Sequence, residues 1–159
     1  SLMIIILTQC FPPKIGGIES LIENLSIELS KTHEVLVLAD QHDKKNDSYY
    51  DLKYEKNIRI KRISGIKFFR KRKKLSELKK LLSSNKISHV IADSWKSFEL
   101  TIDAVKALSI PSICLAHGNE LIVKNSSKPN SFARTSCGLY LTRASKLIGL
   151  SNTFSGASS

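Results

Sequence analysis

Four stretches of this sequence hold residue types that could do chemistry. The first is TQCFPPKIGGIES, Thr8 to Ser20, where Pro12-Pro13 and Gly16-Gly17 share one short turn ahead of a helical pattern. Proline fixes φ and stiffens the chain. Glycine permits positive φ and lets a ligand approach the backbone. Free N–H groups at a helix start, with the helix dipole behind them, favour an anion such as phosphate. Two readings stand: a tight connection that holds no ligand, or an anion site at Gly16 and Gly17. The spacing is neither G-x-G-x-x-G nor G-x-x-x-x-G-K-[ST], so the dinucleotide fingerprint and the P-loop are absent. The second stretch ends in Asp93-Ser94-Trp95, the third in His117-Gly118-Asn119-Glu120, and the fourth in Ser151. Asp93 sits at a strand end, although a lone carboxylate is a weak sign of a site. Trp95 reads as a packing residue. His33, His42 and His89 read as a helix-end cap, a loop residue and a strand residue.

The elements that must position these residues alternate along the chain. The apolar run at Met3 to Thr8 reads as a strand buried on both faces and Glu34 to Ala39 as a second buried strand, with further strands at Ile87 to Ala92, Pro111 to Ala116 and Lys146 to Ser151. Ile58 to Ile63 alternates as a strand with one exposed face. Ile18, Leu21, Ile22, Leu25 and Leu29 fall on one helical face, with Glu19, Glu23 and Glu28 outside it. Short helices are expected around Leu75 to Leu82 and Phe98 to Val105, and another between Ser131 and Arg143. The polar stretch from Asp40 to Asn57 reads as a long loop. Strand and helix in this order predict an α/β fold: a single Rossmann-like domain, a parallel sheet with helices on both faces. Ligands in such sheets bind at the carboxyl ends of the strands, where the four stretches fall.

Composition narrows the partners. The chain has 159 residues, 25 Lys and Arg against 14 Asp and Glu, and a formal net charge of +11. Such a balance favours an anionic partner: nucleic acid, an acidic lipid surface or a phosphorylated substrate. Much of the excess lies in KFFRKRKKLSELKK, Lys67 to Lys80. Phe68 and Phe69 could enter a membrane interface while Arg70, Lys71, Arg72, Lys73 and Lys74 meet anionic lipid. The plainer reading is a solvated loop and helix face. Aromatics beside basic residues also occur in single-strand binders. No helix-turn-helix, zinc finger or RNP motif accompanies them, so nucleic acid is not the expected partner. Cys10, Cys114 and Cys137 form no metal spacing and no even set for disulfides, so they read as packing residues in a reducing cytosol. The acidic cluster of a response regulator is missing after the first strand. Ser1-Leu2 is set aside, with Met3 taken as the native start.

FPPKIGGIESLIENLSIELSKTHEVLVLA, from Phe11 to Ala39, resembles the opening of the retaining nucleotide-sugar glycosyltransferases of the GT-B fold, family 4. The matching elements are Pro12-Pro13, Gly16-Gly17, Glu19 and His33-Glu34-Val35. SHVIADSWKS, PSICLAHGNEL and RASKLIGLSNTF resemble later segments of that family in the same order. Asp93-Ser94 replaces the family's His-Asp pair, and Ser145-Lys146 replaces its Ala-Asp.

The resemblance implies the N-terminal, acceptor-side half of a GT-B enzyme. Sugar would pass from a nucleotide-sugar donor, with retention, to a cell-envelope polysaccharide or lipid-linked acceptor. Gly16 and Gly17 would face the donor diphosphate and stabilise charge on the leaving phosphate. His117 would bond a sugar hydroxyl near the reacting centre. Asp93, Glu120 and Ser151 would contact the acceptor. The nucleotide-sugar is a co-substrate, and neither a metal nor another cofactor is expected. The donor-binding domain with its Glu-x7-Glu segment is expected elsewhere, in the same or a partner chain. This half alone is expected to transfer little, since one side of a cleft cannot position both substrates. A cytoplasmic place at the inner face of the membrane follows from the same resemblance.

Overall fold

The computed structural model describes residues 2–54, 56–84, 86–108 and 110–115. Within them, five strands form one sheet in the order β3-β2-β1-β4-β5, every pair parallel. They are β1 (Met3–Leu7), β2 (Glu34–Asp40), β3 (Ile58–Ile63), β4 (Ile87–Ala92) and β5 (Ser112–Cys114). The helices are α1 (Gly17–Ser30), α2 (Lys44–Asp51), α3 (Lys67–Ser84), α4 (Trp95–Glu99) and α5 (Ile102–Ala107). The expected Rossmann-like architecture is therefore present. The expected helix at 131–143 and strand at 146–151 lie outside the described residues.

β1 is central, and all five of its residues are buried. Alternate side chains serve opposite faces, as the two-residue period of a strand requires. Ile4 and Ile6 pack with Ile22, Leu29, Val35, Val37 and Phe11 on the α1 side. Met3, Ile5 and Leu7 pack with Leu36, Leu38, Leu78, Leu82, Phe98 and Val105 on the side of α3, α4 and α5. This two-faced burial explains why MIIIL carries no alternation.

Three elements differ from the sequence expectation. The stretch 40–57 is not wholly loop, because it contains α2. Asp43 caps that helix by accepting from the N–H groups of Lys45 and Asn46. Asp47, buried in the first turn, accepts from the N–H groups of His42 and Asp43. Polar caps thus do what an apolar stripe does elsewhere.

The buried face of α1 is rotated from the expected one. It consists of Glu19, Ile22, Ser26 and Leu29, while Ile18 and Leu21 are exposed. The Ser26 hydroxyl donates to the Ile22 carbonyl at 2.7 Å, so it buries without an unmet polar group.

Helix α3 begins at Lys67, well before Leu75, and takes in the whole basic run. Lys and Arg are good helix formers, and carboxylates from other elements offset their repulsion. Gly65, at φ 112, makes the turn into α3, a conformation that a side chain would strain.

Candidate functional site

The order β3-β2-β1-β4-β5 reverses direction between β1 and β4, and the crevice at such a switch point is where open α/β sheets take their ligands. Thr8 leaves β1 there and Asp93 leaves β4. Both are buried, and the Thr8 hydroxyl donates to Asp93 Oδ2 at 2.7 Å. The Gln9 N–H reaches the same oxygen at 3.3 Å, and the Asp93 N–H donates to the Leu7 carbonyl at 2.9 Å. Asp93 thus stands at the crevice as expected, and it braces the β1 turn across 85 residues of sequence. With 3% of its surface exposed, it reaches solvent only narrowly.

The turn that follows β1 is held from beneath by Arg62 of β3. Its guanidinium forms a bidentate pair with Asp51 at 2.7 and 3.0 Å and donates to the Pro12 carbonyl at 2.5 Å. It also lies 5.4 Å from the Phe11 ring centre. Pro12-Pro13 is a cis bond. In the alternation of β3, Arg62 falls on the face of Ile58 and Ile60, opposite the exposed Arg59 and Lys61. Its side chain is only 6% exposed, because α2 covers it with Asp47 and Asp51.

Gly16 and Gly17 have different surroundings. Gly16 precedes the first helical residue in extended backbone. The carboxylate of Glu19 folds back against it, and a side chain at position 16 would overlap that carboxylate. Glu19 was expected outside the apolar face, yet it is 7% exposed. A carboxylate is favoured at the first turn of a helix, where N–H groups are unpaired and the dipole is positive. The Gly-Gly-x-Glu pattern therefore builds its own anion at the start of α1. Gly17 faces open space, with nothing within 4 Å of where a Cβ would stand.

A cavity of about 480 Å³ opens over the carboxyl ends of these strands. Gln9 and Cys10 after β1, Asp40 at the end of β2, the first turns of α3, and α4 form its wall. Lys74 is 4% exposed; it donates to the Thr8 carbonyl at 3.0 Å and is ion-paired with Asp40 Oδ1. Arg70 donates to Asp40 Oδ2 at 3.2 Å and to the Gly65 carbonyl at 3.1 Å. This corrects the expectation for the basic run: Lys74 does not stand on an outer face with Arg72 and Lys73 but lies within the fold, and Arg70 is half-committed to Asp40. Phe68 and Phe69 are 68% and 53% exposed, and Ile66 beside them 67%. Lys71, Arg72 and Lys73 are exposed as well.

Two wall residues were read from the sequence as bystanders. His42 lies with Nε2 3.0 Å from the Gln9 carbonyl, a contact made when Nε2 carries the hydrogen. Cys10 is half-buried, and its Sγ receives the Lys14 ammonium at 3.5 Å. Burial pushes the Cys10 thiol up despite Lys14, which makes it a poor nucleophile near neutrality. Nothing in the spacing of Lys14, His42 and Lys96 told that the fold would gather them. His117, Glu120 and Ser151 lie outside the described residues.

The fold and this crevice define a class: a Rossmann-like α/β domain of the kind that forms one half of a GT-B glycosyltransferase. The family model Glycosyltransferase Family 4 matches residues 15–154, nearly the whole chain, and the chain belongs to that family. Among solved structures it is similar to apo UGT2 of Phytolacca americana, with a TM-score of 0.53 and 15% identity. That likeness concerns the fold. It covers 72% of this chain and 29% of the other, so the chain spans less than a third of that protein's length. No curated protein matches the sequence. Among the described residues no helix is long and apolar enough to cross a membrane.

Proposed function

We propose that this chain is the acceptor-side domain of a retaining glycosyltransferase that moves a sugar from a nucleotide-sugar to a cell-envelope polysaccharide or lipid-linked acceptor. The observation that carries the reading is the family match over residues 15–154. A donor-binding domain, in the same or a partner chain, closes the cleft over the carboxyl ends of the strands. Gly17 is open to a ligand, so its backbone supplies the approach to the donor diphosphate, while the space at Gly16 is taken by Glu19. Asp93, Glu120 and Ser151 serve the acceptor, and His117 bonds the transferred sugar. The exposed Ile66, Phe68 and Phe69, with Lys71, Arg72 and Lys73, favour contact with an anionic membrane at its inner face. In this reading the nucleotide-sugar is a co-substrate and no metal or other cofactor takes part.

The test is transfer by the complete gene product, with labelled nucleotide-sugars and an envelope-lipid extract as acceptor. Wild type is expected to give a labelled lipid or glycan. His117→Ala is expected to lower turnover at least about tenfold, the lower end of what one positioned group contributes. Unchanged turnover in a folded variant removes His117 from the mechanism.

A further inference from the structure

We propose that the cavity at the carboxyl ends of β1, β2 and β4 binds a phosphate group, and that the acceptor is therefore a phosphorylated molecule. Only the word acceptor rests on the transferase reading; the phosphate site stands on the cavity itself.

Six cationic side chains line the cavity against two carboxylates, Asp40 and Glu99. The cations do not come from the basic run alone. Lys14 arrives from the β1–α1 turn and Lys96 from α4, while Lys67, Arg70, Lys71 and Lys74 descend from α3 at helical spacing. Residues 14 and 96 are remote in sequence from that helix, so the fold itself concentrates the charge. Asp40 is already engaged by Arg70 and Lys74. Among the described residues, Lys67, Lys71 and Lys96 have no carboxylate partner, and Lys14 has only the Cys10 sulfur. Like charges gathered around one hollow repel one another, and an anion at the centre relieves that repulsion.

The donor set narrows the ligand. Ammonium and guanidinium groups donate and never accept. A neutral sugar presents hydroxyls that need acceptors as well as donors, and a wall dominated by donors serves it poorly. A phosphate presents several acceptor oxygens and full charge, which suits convergent cations. A cavity of about 480 Å³ has room for a phosphorylated sugar or a lipid headgroup. Lys74, held in place by Asp40 and the Thr8 carbonyl, fixes the floor. The exposed Phe68 and Phe69 stand on the first turn of the same helix and the exposed Ile66 just before it, so the phosphate could be borne by a lipid or by a soluble molecule.

Two probes separate these sources: sn-glycerol 3-phosphate, followed by calorimetry, and phosphatidylcholine vesicles doped with phosphatidic acid, followed by co-sedimentation. The variant Lys14→Gln/Lys96→Gln removes two cavity cations that lie outside the basic run. The control Lys45→Gln/Lys79→Gln removes the same charge from exposed positions elsewhere. The cavity variant is expected to weaken binding of the bound probe about tenfold, the loss of charge-assisted hydrogen bonds, and the control less than about twofold. Binding of glycerol phosphate identifies a soluble phosphorylated acceptor. Binding of vesicles alone, still lost in the cavity variant, identifies a lipid-borne phosphate. Equal weakening in both variants, or no binding of either probe by wild type, overturns the site. Because the readout is binding, a protein that transfers no sugar would fail the transfer assay and still pass this one.

Discussion

Alanine at Gly16 and alanine at Gly17 should move stability in opposite directions. At position 16 a methyl group would enter the place of the Glu19 carboxylate. That carboxylate is the far end of a flexible side chain, so it can leave, but it then gives up its seat at the start of α1. A carboxylate at a helix N-terminus contributes about 0.3–1 kcal/mol when exposed and up to about 2 when partly buried. Glu19 is 7% exposed, which places it toward the upper end. Alanine is also a poorer N-cap than glycine. The smaller entropy of the unfolded chain returns about 0.4–1 kcal/mol. Gly16→Ala should therefore cost about 1 kcal/mol, or a fall in Tm of roughly 2–4 °C for a chain of this size. Gly17 is the first helical residue and faces open space, so Gly17→Ala should gain about 0.5–1 kcal/mol. Urea denaturation followed by circular dichroism measures both. A Gly16→Ala protein as stable as wild type would refute the coupling of Gly16 to Glu19. Transfer by the complete enzyme separates the roles further, since Gly17→Ala should lower turnover without loss of stability if that backbone faces the donor.

Arg62→Ala removes the pair with Asp51 and the bond to the Pro12 carbonyl and leaves Asp47 and Asp51 without their cation. Breaking a buried pair in this way costs about 3–5 kcal/mol; a loss below 1 kcal/mol in urea titration would show that Arg62 does not anchor the turn. Glu23 accepts from Tyr50 and Tyr54 and pairs with Lys53. Burial opposes its charge, but these partners outweigh burial and hold its carboxyl below the usual range. Its stabilisation is thus present above the unfolded pKa of about 4.3 and lost as pH falls through the lower folded value. Thermal melts should show the advantage of wild type over Glu23→Gln shrinking as the solution is acidified through that window; a constant difference would contradict the assignment. Phe68→Ser/Phe69→Ser should weaken sedimentation with anionic vesicles several-fold and leave Tm nearly unchanged, as both rings are largely exposed. Undiminished sedimentation would remove the rings from membrane contact.

Four strands were legible as short apolar runs and β3 by its alternation, and their order predicted the parallel sheet. Helix α2 was not legible. KKNDSYYD has no apolar stripe, and it is helical because Asp43 and Asp47 cap it and Arg62 draws Asp51 inward. Burial of Glu19 and Ser26 rotated the face of α1, since a helix N-terminus and a backbone carbonyl satisfy groups that a hydropathy pattern counts as outward. The basic run was visible as charge, but a run of like residues does not tell which of them an acidic neighbour will pull inward. Asp40 draws in Lys74 and not Lys73 because positions 67, 71, 74, 78 and 82 share the face that carries Leu78 and Leu82 into the core. Of the candidate site, the positions of Asp93 and of the glycine turn at strand ends were legible from the strand order, but the burial of Glu19 against Gly16 was not. The convergence of Lys14 and Lys96 on α3 belongs to the tertiary fold.

The most direct test of the central claim is glycosyl transfer itself. The complete gene product should move label from one nucleotide-sugar to an envelope-lipid or glycan acceptor, and the product should keep the donor's anomeric configuration by NMR. Inverted product would contradict the retaining mechanism. No transfer with any nucleotide-sugar, from folded protein that still binds acceptor extract, would contradict the reading of this domain as half of a working transferase.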